Sequence, residues 1–183
     1  MLNERAYVDR WTECVRRANC FDQIVVVDGG STDGTSERLC ELGIPVISRA
    51  FQNHFSEQRN FAAEQCSNDW IFELDADEIP SQPLFAGLQD IVRDAERAEM
   101  DCVGIARFNF LDGTLVAGPG WKGLDYQYRL HSKNCRWRGA VHEELTGYRC
   151  RYELKIDDGH FLIHDKTRER YEAQNNYYRT LTP

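Results

Sequence analysis

The run Ile24-Val25-Val26-Val27-Asp28, cut off by Gly29-Gly30-Ser31-Thr32-Asp33-Gly34, constrains the fold more than any other feature of the chain. Four apolar residues between turn formers are too few for a helix and leave no polar face, so they predict a strand over 24–28 buried on both sides. Such a strand belongs in a sheet covered by helices, and the flanking sequence supplies them. Val8, Trp11, Val15 and Ala18 recur at helical spacing and predict an amphipathic helix over 4–19. Thr35 is placed to cap a short helix to Leu42, Gly43 stops it, and 44–48 reads as a second strand. Ser56 is placed to cap a helix through Cys66, followed by a strand over 70–75. After Pro80 comes a helix with an apolar face of Leu84, Leu88, Ile91, Val92 and Ala95. This alternation to residue 98 predicts an α/β sheet with parallel strands and a ligand site at their carboxyl ends.

Beyond residue 100 the pattern changes. Strands are expected over 102–110, 126–131 and 161–164, Gly-rich connections over 113–123, and a closing helix over 167–181. The chain has no internal repeat, low-complexity tract or linker, and its 183 residues suit one domain with a first half at 1–98 and a mixed second half at 99–183. No run approaches the roughly 18 apolar residues of a membrane span, and residues 1–5 lack an apolar stretch of signal-peptide type. The seven cysteines are odd in number and show no C-x-x-C spacing, so free thiols and a cytoplasmic location are expected.

A net charge of -8 opposes nucleic-acid binding, which draws on clustered Lys and Arg. Its distribution is uneven: residues 1–120 carry 10 basic against 21 acidic side chains, and residues 121–151 carry 7 against 3. A region where carboxylates hold a cation, followed by one where Arg and Lys face phosphate or an anionic acceptor, would have this profile, as would a plain solvated basic surface.

The sharpest chemical signal is Asp75-Ala76-Asp77. On an extended segment residues i and i+2 point to one side, so both carboxylates can converge on a hard cation at the tip of a buried strand. The competing reading is that Asp77 and Glu78 merely cap the next helix. Asp28 ends another buried strand, and if the two strands are near neighbours the acids line one crevice, where a carboxylate can accept from a base N–H or a ribose hydroxyl. The plainer reading of Asp28 is an Asx turn. The loop 29–34 matches neither G-x-G-x-x-G nor a P-loop.

Three segments in this order and spacing, Asp28-Gly29-Gly30-Ser31-Thr32-Asp33-Gly34-Thr35, Gln58-Arg59-Asn60-Phe61-Ala62 and Asp69-Trp70-Ile71-Phe72-Glu73-Leu74-Asp75-Ala76-Asp77-Glu78, resemble the family 2 glycosyltransferases of the GT-A fold. Trp137-Arg138-Gly139-Ala140-Val141-His142-Glu143 looks like the subset that includes lipopolysaccharide-core β-glucosyltransferases. The resemblance implies a Rossmann-like α/β domain with a mixed sheet that binds a nucleotide-diphosphate sugar, UDP-glucose being the suggested donor. It implies inverting transfer of a hexosyl group to a hydroxyl of a glycan or glycolipid acceptor, at the inner face of the membrane without a transmembrane segment. By the same resemblance Asp28 contacts the base, Asp33 supports the nucleotide loop, and Arg59 lies near the nucleotide or its diphosphate. Asp75 faces ribose and metal, Asp77 ligates Mn²⁺ or Mg²⁺, and His164 is a late ligand to metal or diphosphate, against the plainer reading of a core histidine. An inverting transfer needs a base for the acceptor proton; Glu143 is the candidate, with Glu144 and Asp125 as competitors.

His142-Glu143-Glu144-Leu145-Thr146 is not H-E-x-x-H, which excludes a zinc protease of that type. A nucleotidyltransferase would need a basic Gly-rich loop near the N-terminus, absent from residues 1–10. A catalytically silent nucleotide-sugar-binding module is the alternative of a different class. Trp121, Tyr126 and Trp137 offer flat faces for a sugar, though core packing is the commoner use of such residues. In the family an apolar strand precedes a short Asn-Glu turn and lies between the strands that end at the first Asp and at D-x-D. Here Leu2-Asn3-Glu4 resembles that turn, so the expectation is a sheet lacking its first strand, from a shortened reading frame.

Overall fold

The computed structural model describes residues 1–116 and 123–181; Trp121 lies outside them. Helix α1 (Arg5–Ala18) buries Val8, Trp11, Thr12 and Val15 along one face and stops at Asn19, which takes a left-handed conformation with φ 44°. Strand β1 (Val26–Asp28) is buried throughout and runs parallel to β2 (Val46–Ser48), with α2 (Thr35–Glu41) between them. Thr35 lies inside this helix rather than capping it. Gly34 is the N-cap, and the Thr35 hydroxyl is bound by Asp33 and by the Glu4 N–H. Helix α3 (Phe55–Glu64) starts after His54, so Ser56 is not its cap either; the Ser56 hydroxyl sits 3.1 Å from His54 Nδ1.

Strand β3 (Trp70–Phe72) is shorter than its sequence pattern. It is followed by β4 (Glu78–Pro80), and then α4 (Gln82–Arg97), whose Ser81 cap accepts from the Leu84 N–H at 3.3 Å. The second half comprises β5 (Cys102–Leu111), β6 (Thr114–Leu115), β7 (Leu124–Ser132), β8 (Arg136–Arg138), β9 (Glu144–Thr146), β10 (Arg151–Glu153), β11 (Phe161–Lys166) and α5 (Arg168–Leu181).

The strands do not form the single sheet expected of them. β1 and β2 make a two-stranded parallel sheet. β3 and β4 instead join a mixed seven-stranded sheet in the order β3-β7-β5-β11-β4, with β10 and β6 also on β5. The two sequence halves are thus interleaved. Ten residues long, β5 is the spine: β7 runs antiparallel to it, whereas β10 and β11 run parallel to successive parts of its length.

Two of the three hydrophobic clusters among the described residues follow from this division, the third being Cys102, Cys135, Trp137 and Leu145. Leu84, Leu88, Ile91 and Ala95 of α4 pack on Val103, Ile105, Leu130 and Leu162 of the large sheet. Val8, Trp11 and Val15 of α1 pack with Val26, Leu39 and Ile44 around the small one. Each fully buried aliphatic side chain contributes about 1.5–3 kcal/mol, so both are substantial. Phe21 and Leu74 are partly buried and touch both.

Between the sheets, the facing edges of β1 and β3 are unpaired among the described residues, apart from one rung. Met1 donates its N–H to Val27 O at 2.6 Å and accepts from the Gly29 N–H at 2.8 Å, the two bonds of a parallel bridge opposite Asp28. Gly29 permits this approach, since a Cβ there would stand 3.3 Å from Met1 O and 3.2 Å from Phe51 Cβ. Past that rung the edges border a cleft of about 1640 Å³ that runs to the carboxylates of 73–77. This exceeds the roughly 300–1,000 Å³ of an ordinary small-molecule site. None of the described helices is long and apolar enough to cross a membrane.

Candidate active site

The cleft gathers charged side chains from six elements and the turn after β3. Arg59 of α3 is its hub: Nε donates to Glu143 Oε1 at 2.9 Å, Nη1 to Glu73 Oε2 at 3.2 Å, and Nη2 lies 2.9 Å from Asp75 Oδ1. Its guanidinium also stacks over the Trp137 ring at 5.3 Å. Trp137 is fixed by Asn60, which exchanges two 2.9 Å hydrogen bonds with its backbone, and by its own indole N–H to Glu73 Oε1 at 2.8 Å. The segments Gln58–Ala62 and Trp137–Glu143, 84 residues apart at Arg59 and Glu143, therefore form one unit.

Asp75-Ala76-Asp77 is not extended. β3 ends at Phe72, and a turn closed by Glu78 N–H to Asp75 O at 3.1 Å carries the two acids. The same-side rule for a strand does not govern them, and each carboxylate meets its own partners. Asp75 is held by Arg59 and Arg129, and its N–H donates to Glu78 Oε2 at 3.2 Å. Burial pushes its carboxyl up, but Arg129 and Arg59 outweigh that and hold it well below the ordinary carboxylate range. Asp77 instead faces β11, with Oδ2 3.5 Å from His164 Nε2 and 3.3 Å from Lys166 Nζ. Burial opposes its ionisation too; His164 and Lys166 prevail and lower its pKa.

His164 Nδ1 lies 2.7 Å from Asn109 Oδ1, which orients the ring with Nε2 towards Asp77. An imidazole nitrogen pinned by a partner on its other side and next to a carboxylate is suited to a divalent cation. Asp77 and His164 are therefore the two residues that could hold a metal ion, a carboxylate and an imidazole on one side of the cleft. Asp75, expected to share it, is committed to two arginines, and no group of three or more His, Cys, Asp or Glu side chains converges among the described residues.

Asp28 is buried and turned to its own loop, accepting from the Gly30 and Ser31 N–H groups, both at 2.9 Å, and from the Ser31 hydroxyl. This is the Asx-type turn, with Gly30 at φ 96°. Asp33 accepts from the Thr35 N–H and hydroxyl and from the Arg5 N–H, tying the loop to α2 and α1. Among the base candidates, Asp125 is chelated by Arg107 at 3.0 and 2.8 Å, and Glu144 is exposed on β9, away from the cleft. Glu143 lines the cleft and has one oxygen on Arg59. It follows His142, whose φ of 56° is strained for a non-glycine residue.

Sequence reading missed Arg107, Arg129, Glu73 and Lys166. Arg129 is 3% exposed and joins Asp75 to Glu78, itself fully buried and bound by Arg107 at 2.9 Å. An arginine inside a largely apolar strand signals a buried carboxylate partner, and Arg107, within Cys102–Leu111, has that setting.

The helix-layered mixed sheet, with its acids and the Arg59 hub gathered in one cleft, has the fold of the GT-A glycosyltransferases. The chain matches the family described as Glycosyl transferase family 2 over residues 1–161, and it belongs to that family. It is similar to the lipopolysaccharide core biosynthesis glycosyltransferase LpsC of Rhizobium meliloti (strain 1021), 35% identical over 118 residues, which are 61% of this chain and 41% of LpsC. A glycosyltransferase of Rickettsia typhi is 39% identical over 82 residues, 45% of this chain and 27% of that protein. The crystal structure of S. aureus TarS superposes with a TM-score of 0.52 at 18% identity, over 67% of this chain and 22% of TarS. The chain thus spans less than half the length of each.

Proposed function

We propose that this chain transfers a hexosyl group, with inversion, from a nucleotide-diphosphate sugar to a hydroxyl of a glycan or glycolipid, using Mn²⁺ or Mg²⁺. The observation that carries this reading is the Asp77–His164 pair beside the Arg59–Asp75–Glu143 unit within one cleft. When bound at Asp77 and His164, the cation would stabilise charge on the departing diphosphate. Glu143 is the base: Arg59 fixes the carboxylate by Oε1 and Oε2 is left to take the acceptor proton. Arg59 and Trp137 form a wall against which the donor is oriented, and the loop 28–35 receives the nucleotide through its backbone.

LpsC is described as acting in lipopolysaccharide core biosynthesis, which favours a lipid-linked, anionic acceptor here and work at the cytoplasmic face of a membrane. The exposed arginines 136, 138, 149 and 151 of the second half suit such a surface. Incubation with a panel of nucleotide sugars, UDP-glucose first, with Mn²⁺ should release nucleoside diphosphate. Asp77→Asn, which keeps size but removes the charge a hard cation needs, should abolish that release with little change in fold by circular dichroism. Undiminished release by Asp77→Asn overturns the metal site, whereas tight binding without product favours the silent binding module.

A further inference from the structure

Lys166 has no role in the reading above, yet its ammonium lies 3.3 Å from Asp77 Oδ2, the oxygen also nearest His164. His164 and Lys166 are two residues apart on β11 and so project to the same side. The lysine side chain is only 11% exposed, and its other partner is the neutral Oε1 of Gln174 on α5, at 2.5 Å. A divalent cation on Asp77 takes the charge that Lys166 now neutralises and repels the ammonium beside it. A largely buried ammonium left with an amide alone is unfavourable, so a second anion has to arrive with the cation. Arg170, one turn into α5, adds to this demand. Its guanidinium is anchored on Glu4, lines the same cleft, and keeps a buried Nε with no partner.

We infer that Lys166 is a diphosphate-binding residue that exchanges Asp77 for the donor's diphosphate when the metal binds, with Arg170 beside it. The inference rests on the metal-dependent donor site proposed above. It assigns to β11 and the start of α5 the task of holding the leaving group, and to Lys166 a second role as counter-ion of Asp77.

This exchange predicts effects of opposite sign from one substitution. Lys166→Met keeps the aliphatic stem and removes the charge. Titrated with Mn²⁺ alone, the variant should bind the ion at least as tightly as the parent, because a competing cation is gone. Titrated with inorganic pyrophosphate at saturating Mn²⁺, it should bind about 10- to 100-fold more weakly, the loss expected for a charge-assisted contact. Pyrophosphate needs no knowledge of the base or sugar. An unchanged pyrophosphate affinity, or a parallel loss of Mn²⁺ and pyrophosphate binding, overturns the proposal. In the parent protein, pyrophosphate binding that ignores Mn²⁺ overturns the metal-site reading and the exchange with it. Mn²⁺-dependent binding that Lys166→Met leaves intact sinks the exchange alone.

Discussion

Arg59 makes ion pairs with three carboxylates at once, and its environment shows how the cleft sets charge at the level of single residues. Burial raises the Glu73 carboxyl, but His131, Arg59 and Trp137 together hold it below its ordinary value. The same contact acts on His131: burial lowers its pKa, and Cys135 and Glu73 more than compensate, lifting it to about 9. A histidine raised in the folded state contributes stability that is fully present below its unfolded pKa of about 6.5 and is lost as pH rises through about 9. The melting temperature should therefore fall between pH 6.5 and 9 by at least about 2 °C, the change that 1 kcal/mol produces in a chain of this size. His131→Asn should be less stable at pH 6 and show a flatter profile; an identical profile would remove His131 as the cause. Glu143→Gln should lower turnover by about 10² to 10⁴ while leaving donor affinity within a few-fold. If Asp125→Asn shows that loss and Glu143→Gln does not, the base is Asp125. Asp77, Arg59 and Glu143 stand in local sequence motifs, and the structure brings all three to the cleft. Arg129 and Lys166 could not be picked from the sequence, since their roles depend on strand pairings between distant segments.

At the scale of elements, the legible parts were those whose apolar period is long. α1 and β5 lie within one residue of their expected bounds, and α4 buries Leu84, Leu88, Ile91 and Ala95 of its expected face, because these buried faces span several turns or a full sheet width. The segment 70–75 misled for a physical reason. Its strand pattern continues to Leu74, but Arg59 and Arg129 draw Glu73 and Asp75 to one centre, and the chain turns instead of extending. Glu78–Pro80 reads as a helix lead-in and is in fact a strand, recruited by antiparallel pairing with β11. Sheet membership is likewise a long-range property. The edges of β1 and β3 that are unpaired among the described residues lead to a direct expectation, since Met1 already fills one parallel rung beside Asp28. A version carrying about six apolar residues before Met1, a normal strand length, should continue that ladder into the cleft. Its melting temperature should rise by more than about 4 °C, equivalent to a few kcal/mol of new burial and backbone bonding. Donor binding should also tighten, because the added strand completes the wall behind the loop 28–35. Equal stability and equal donor affinity of the two forms would show that this face of the cleft needs no strand.

For the molecule as a whole, the cleft borders two packed bodies whose apolar cores meet at Phe21 and Leu74, with polar links such as Arg170–Glu4 and Gln23–Ser67 between them. A donor that binds across it should couple them, raising the melting temperature with the logarithm of its concentration over the dissociation constant; about 2.7 kcal/mol is expected at 100 times that constant. Before any donor arrives, the smaller body is held by a three-residue parallel pair and the faces of α1 and α2, the larger by a ten-residue spine paired along both edges. The two should therefore open to solvent on different clocks. In deuterated buffer the amides of Asp28 and Ile47 should exchange at least about ten times faster than those of Ile105 and Leu130, reporting a local opening well below the free energy of global unfolding. Saturation with donor and Mn²⁺ should slow the first pair far more than the second. Uniform exchange in the free protein would mean that Phe21 and Leu74 weld the bodies into one cooperative unit.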